Sequence, residues 1–144
     1  MRPAGMDEFR DALRERGLKS TPQREAVHEA MSQLIHASAD MVVDFIGETT
    51  KKRVSMASVY NILLGLSGAG IYAARMSSSG KMFFDVIPVH HIHLYDPSTD
   101  EYRDVVDEEL LDMVETHFRR KRFRGFKVDS VDIQLVCHAT RKNY

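Results

Sequence analysis

The chain has 144 residues, a formal net charge of −1 and one cysteine, a length that suits one ordinary domain or two small ones. No apolar run approaches the roughly 20 residues that span a bilayer, and the opening Met1-Arg2-Pro3-Ala4-Gly5-Met6 lacks the apolar stretch of a signal peptide. The lone Cys137 excludes an intrachain disulfide and a cysteine-built zinc cluster within one chain, so a reducing cytoplasm is expected, while the near-neutral charge leaves any nucleic-acid partner to local patches.

Asp7 to Arg16 places Phe9, Ala12 and Leu13 at helical spacing and stops at Gly17. Thr21-Pro22 reads as an N-cap followed by a first-turn proline, opening a helix with Ala26, Val27, Ala30, Met31 and Leu34 along one stripe. His36-Ala37 is a connector, and Ser38 caps a third helix whose inward side carries Met41, Val42, Phe45 and Ile46. Links this short force the helices to pack on one another.

Thr49-Thr50-Lys51-Lys52-Arg53 is a basic turn, after which Ser55 caps a fourth helix from Met56 to about Ala69, with Val59, Ile62, Leu63 and Leu66 inward. Lys51, Lys52, Arg53, Ser55, Ser58, Tyr60 and Asn61 are left for another surface. Cations, small hydroxyls, a tyrosine and an amide at the start of a helix suit phosphate and base-edge contacts. Ile71 to Met76, the turn Ser77-Ser78-Ser79-Gly80, and Lys81 to Ile87 predict a β-hairpin. Helices ending in a reading helix plus a hairpin describe a winged helix-turn-helix over residues 1–87, with Arg75 and Lys81 on the wing.

Pro88 marks a composition change and a hinge near 85–90. Beyond it, three of the seven histidines fall within Val89-His90-His91-Ile92-His93-Leu94-Tyr95. On a strand His91 and His93 share a face and His90 points away. With a turn at Asp96-Pro97-Ser98-Thr99-Asp100 centred on Ser98 and Thr99, the return strand Glu101 to Val106 sets Asp104 opposite His93. Two imidazoles and a carboxylate then converge, a donor set that suits divalent iron, manganese or zinc. A one-residue slip would turn Asp104 away. A helix follows from Asp107 to about Arg122 with Leu110, Leu111, Val114 and Phe118 buried, then a strand from Phe126 to Cys137 in which Val131, Ile133, Leu135 and Cys137 alternate. Such a thin layer, residues 88–144, leaves faces to cover, so a homodimer is expected. The fold class is therefore α+β, a winged helix-turn-helix followed by a small α/β dimerisation domain.

Leu18-Lys19-Ser20-Thr21-Pro22-Gln23-Arg24, His36-Ala37-Ser38-Ala39-Asp40, Ser58-Val59-Tyr60-Asn61 and Phe84-Asp85 before His91-Ile92-His93 together resemble the ferric uptake regulator family of metal-dependent repressors. The resemblance covers nearly the whole chain and is sharpest to the peroxide-responsive, PerR-like branch. It implies a dimer on A·T-rich palindromic double-stranded DNA and a regulatory Fe(II) or Mn(II), replaceable by Zn(II), on His36, Asp85, His91, His93 and Asp104. It also implies His36 and His91 as the oxidation-sensitive ligands. Departures are visible. The first Cys-x-x-Cys pair of the family's structural zinc falls on Asp96 and Thr99, and Cys137 does not match the second, so no such zinc is expected. A further metal site is unmatched, since Ile92 and Val131 stand where partners of His90 would be. The same family also offers iron or haem sensing as the signal. A non-haem iron enzyme using His91, His93 and Asp104 is disfavoured by the helix-and-hairpin module.

Overall fold

The computed structural model describes residues 2–87, 91–128 and 131–140. Chain contacts divide it into two compact units, Met1–Pro88 and Val89–Tyr144. Pro88 and His90, the expected hinge proline and the outward histidine, lie outside the described residues.

The first unit begins with α1 (Met6–Glu15), which buries Phe9 and Leu13. Gly17, at φ 70°, turns the chain after it, and Leu18 N–H reaches back to Leu13 O at 2.8 Å. In α2 (Pro22–Leu34) the Thr21 hydroxyl accepts from Arg24 N–H at 3.1 Å, the cap that its sequence predicts. His28 is buried midway along α2, its ring stacked on Phe9 with centroids 4.0 Å apart. One ring nitrogen meets Tyr72 Oη and the other Ala4 O, each at 2.7 Å. Because a carbonyl only accepts, Nε2 carries the proton of the neutral ring and Nδ1 accepts from the tyrosine.

The helix ends at Ile35, a β-branched residue at φ 64° and ψ −58°. The next two residues, expected as a connector, form strand β1 (His36–Ala37). Then come α3 (Ala39–Thr50), α4 (Met56–Gly68), β2 (Ala73–Met76) and β3 (Met82–Asp85). The strands make an antiparallel sheet in the order β1-β3-β2. Its apolar side joins one core with the helices, built on Leu13, Val27, Met31, Val42, Leu63 and Phe84. Met41 and Phe45 depart from the expected inward set: Met41 is exposed and Phe45 half-buried, because Val42 and Ile46 occupy the centre of the α3 face.

In the second unit β4 (Ile92–Asp96) lies between β5 (Glu101–Val105), antiparallel, and β6 (Ile133–Val136), parallel. Helix α5 (Glu108–Arg119) is capped by Asp107, whose carboxylate accepts from Leu110 N–H at 3.0 Å. Two expectations change here. Leu110, Leu111, Val114 and Phe118 are half-buried and α5 has no buried residue, the described residues of this unit covering its apolar stripe only in part, as where Phe123 stacks on Phe118. The last strand is shorter than Phe126 to Cys137, because Phe126 closes a tight turn with Phe123 instead.

Candidate metal centre and nucleic-acid face

In the second unit the β4–β5 register sets His93 directly opposite Asp104, as the turn centre predicts. His91, two residues earlier, shares that face. His91 Nε2 lies 2.9 Å from His93 Nε2 and 2.9 Å from Asp104 Oδ1. Both histidines are buried and Asp104 is half-buried. Tyr102 stands edge-on to the His93 ring at 6.0 Å, and the other His93 nitrogen is 3.8 Å from Asp132 Oδ1. Sequence reasoning missed Asp132; it reaches His93 only because β6 runs beside β4.

The donor set fits a divalent cation. One ring nitrogen faces another ring nitrogen and a carboxylate oxygen at equal distance, so three lone-pair carriers surround one point. Ligands about 2.1 Å from an ion in octahedral, right-angled coordination stand about 3.0 Å apart, close to the 2.9 Å seen. Nitrogen and oxygen donors without a thiolate suit iron, manganese or zinc.

In the first unit β1 and β3 set His36 opposite Asp85. His36 Nε2 meets Asp85 Oδ2 at 3.1 Å, and both side chains are buried. The other carboxylate oxygen accepts from Ile87 N–H at 2.8 Å, which fixes the orientation of the group. This is a second imidazole–carboxylate pair of the same chemistry, built by a sheet in place of a hairpin.

The residues expected at DNA lie on the first unit. Lys51 ends α3 in the left-handed region at φ 60°, and Lys51, Lys52 and Arg53 are exposed. They line a hollow of about 520 Å³ that also takes in Asp44 and Glu48. The hollow is thus mixed in charge, carboxylates of α3 standing beside the basic turn. The Ser55 hydroxyl accepts from Ser58 N–H at 3.1 Å and donates to Ser58 Oγ at 2.8 Å, so Ser55 caps α4 and engages both groups of Ser58. Asn61 is exposed, Tyr60 packs edge-on to Phe84 at 6.1 Å, and Arg75 is half-buried on β2. Lys81 pairs with Asp40 at 3.3 Å. A second hollow of about 310 Å³ gathers Tyr60 and Lys81 with Asp40, Met56, Met76 and Met82. None of the methionines was singled out by the sequence reading, although hairpin register alone opposes Met76 and Met82.

Residues 15–136 match the model of the ferric uptake regulator family. No curated protein sequence matches the chain. Among solved structures, the ferric uptake regulator of Pseudomonas aeruginosa with manganese is similar at a TM-score of 0.73 and 24% identity, over 91% of this chain and 97% of that one. The Helicobacter pylori ferric uptake regulator, whose structure reveals three functional metal binding sites, is similar at 0.68 and 22% identity, over 94% and 92%. The Campylobacter jejuni peroxide stress regulator is similar at 0.67 and 18% identity, over 96% and 98%.

Proposed function

The chain belongs to the ferric uptake regulator family, a class of DNA-binding, metal-responsive transcription regulators and not of enzymes, and from that premise we propose that it is a repressor released from DNA by peroxide. His36 and Asp85 of the first unit and His91, His93 and Asp104 of the second would hold one regulatory ion together. The observation that carries this is the matched chemistry of the two sets, each a buried imidazole facing a carboxylate oxygen at 3.1 Å or less. Asp85 and His91 are six residues apart, so the chain between them spans at most about 20 Å, which keeps the two sets tethered.

Side chains from both units that share an ion fix the units in one arrangement, and DNA affinity then follows occupancy. Two copies must place their reading helices about 34–36 Å apart to meet successive half-sites on DNA, so a change in that arrangement loses the operator, an A·T-rich palindrome in this reading. Lys51, Lys52, Arg53, Arg75 and Lys81 would meet phosphates, and Ser55, Ser58, Tyr60 and Asn61 the phosphates and base edges. The exposed Val106, Met113, Phe126, Leu135 and Val136 of the second unit supply apolar surface for the homodimer.

Fe(II), when bound, supplies the electrons that cleave peroxide. His36 and His91 are the ligands proposed to take up oxygen; an oxidised ring is a poorer donor and loosens the clamp. The Mn(II) form should keep DNA under the same treatment. Duplex DNA selected from a randomised pool by the Mn(II)-loaded protein provides the test. His91→Ala and Asp104→Ala should abolish its metal-dependent retention, and unchanged retention would sink the switch. Peptide mass mapping of the Fe(II) form after peroxide should show one added oxygen on His36 or His91; without it, the signal is iron itself or haem.

A further inference from the structure

Among the described residues of the first unit, the large apolar side chains left exposed are Met41, Met56, Tyr60, Leu64 and Met76. Three of these, Met56, Tyr60 and Met76, line the same hollow of about 310 Å³. Local structure explains their meeting. Met56 is the first residue of α4, just past the Ser55 cap. Met76 ends β2 directly opposite Met82 at the start of β3, beside the turn of the hairpin. Met56 is 47% and Met76 57% exposed, whereas Met31 of the core is 0% exposed. Thioether oxidation follows exposure, so the two surface methionines are accessible to oxidants from which the core one is shielded.

Resting on the reading of α4 and the β2–β3 hairpin as the DNA-facing surface, we infer that Met56 and Met76 form a second oxidant-responsive site, one that acts without the regulatory metal and answers hypohalous acids. At each thioether the sulfur gives up an electron pair, the oxygen–halogen bond breaks, a sulfur–oxygen bond forms, and halide and a proton leave. A flexible apolar side chain becomes a polar, chiral one. Apolar side chains meet the methyl group of thymine in the major groove, and a sulfoxide does not. Its oxygen is also a new acceptor in a hollow that holds the Lys81 ammonium, which Asp40 already engages at 3.3 Å. Sulfoxide reductases reverse the step, so the site is a switch and not only damage.

The experiment uses the full-length Mn(II)-loaded chain carrying Cys137→Ser, which silences both ferrous chemistry and the thiol. Hypochlorous acid is added, the peptides are mass-mapped, and retention of the selected duplex is measured before and after. One added oxygen on Met56 and on Met76 should accompany a loss of affinity of about tenfold, equivalent to about 1.4 kcal/mol. Methionine sulfoxide reductase should restore it. The Met56→Leu/Met76→Leu variant, compared with its own untreated state, should change less than about twofold, within roughly 0.4 kcal/mol. Sulfoxide at both positions with unchanged affinity overturns the inference and leaves the DNA-binding reading standing. An undiminished loss in the double variant, or no oxygen at either methionine, also overturns it. No retention before oxidant overturns both.

Discussion

Residues 91–140 contribute Ile92, Tyr95 and Tyr102 to the buried apolar residues among those described, along with the buried His91 and His93. The first unit contributes a continuous cluster running from Phe9 through Leu63 to Ile87. One unit therefore closes on its own apolar side chains, while the other buries nearly as many imidazoles as hydrocarbon groups. Two of the five buried side chains named there are imidazoles, a type that binds metal ions. Under the proposed function, that division suits a reading module that keeps its shape and a sensing module that does not have to.

The sharpest way to break this contrast is to truncate one apolar side chain in each unit, in the core of the first and on the α5 stripe of the second. Leu63→Ala should destabilise the first unit by about 2–5 kcal/mol, the range for a truncated core leucine, read by denaturant unfolding. Val114→Ala on α5 should leave that transition in place and instead weaken self-association in sedimentation; equal losses in both would erase the distinction. Next in size, His93→Ala or Asp104→Ala should lower Mn(II) affinity by at least about a hundredfold, beyond what outer-shell partners carry, by calorimetric titration. Retained affinity would make the buried imidazoles packing groups only.

A smaller effect concerns His28, the buried histidine of the first unit that lies outside the proposed ligand set. His28 is held neutral, its pKa lowered by burial, against which the hydrogen bond to Ala4 O acts. An unfolded histidine takes its proton near about 6.5, so the unfolded state binds more protons below that pH and stability falls as pH drops through it. Denaturation midpoints of the full chain should decline from pH 7.5 to 5.5, and His28→Leu should flatten that slope. Smallest is the surface pair. Arg10 first, then Ser20, hold the Glu25 carboxyl down at about 2. Its contribution is present above the unfolded value of about 4.3 and is lost as pH falls through about 2. In Arg10→Gln the Glu25 titration followed by NMR should move up towards the ordinary value; no movement would remove Arg10 as the cause.

What could be read in advance divides along the same line. Thr21, Ser55 and the apolar stripes of α2 and α4 were legible because caps and periodicity act over a few residues. The opposition of His93 and Asp104 was legible because a short turn fixes register. The pairing of His36 with Asp85 is 49 residues long, and no local signal announces β1; only the family resemblance pointed to both. The parallel β4–β6 pairing was invisible for the same reason, and Asp132 with it. The stripe on α5 was read correctly as apolar, but periodicity does not say what lies against it.

Ile35 carries a last consequence. A β-branched residue at φ 64° and ψ −58° is a tight reverse bend held against its own side chain. Such conformations are disfavoured by about 1–3 kcal/mol. Its neighbours oblige it: Ile35 N–H donates to Met31 O at 2.7 Å and Ile35 O accepts from Val86 N–H at 3.0 Å. The residue after it is His36. The backbone before this imidazole is thus a loaded spring, latched at both ends, that positions the ring ahead of any ligand. The latch at Val86 lies one residue beyond Asp85, so the same stretch of chain that faces the His36 ring also holds the bend before it.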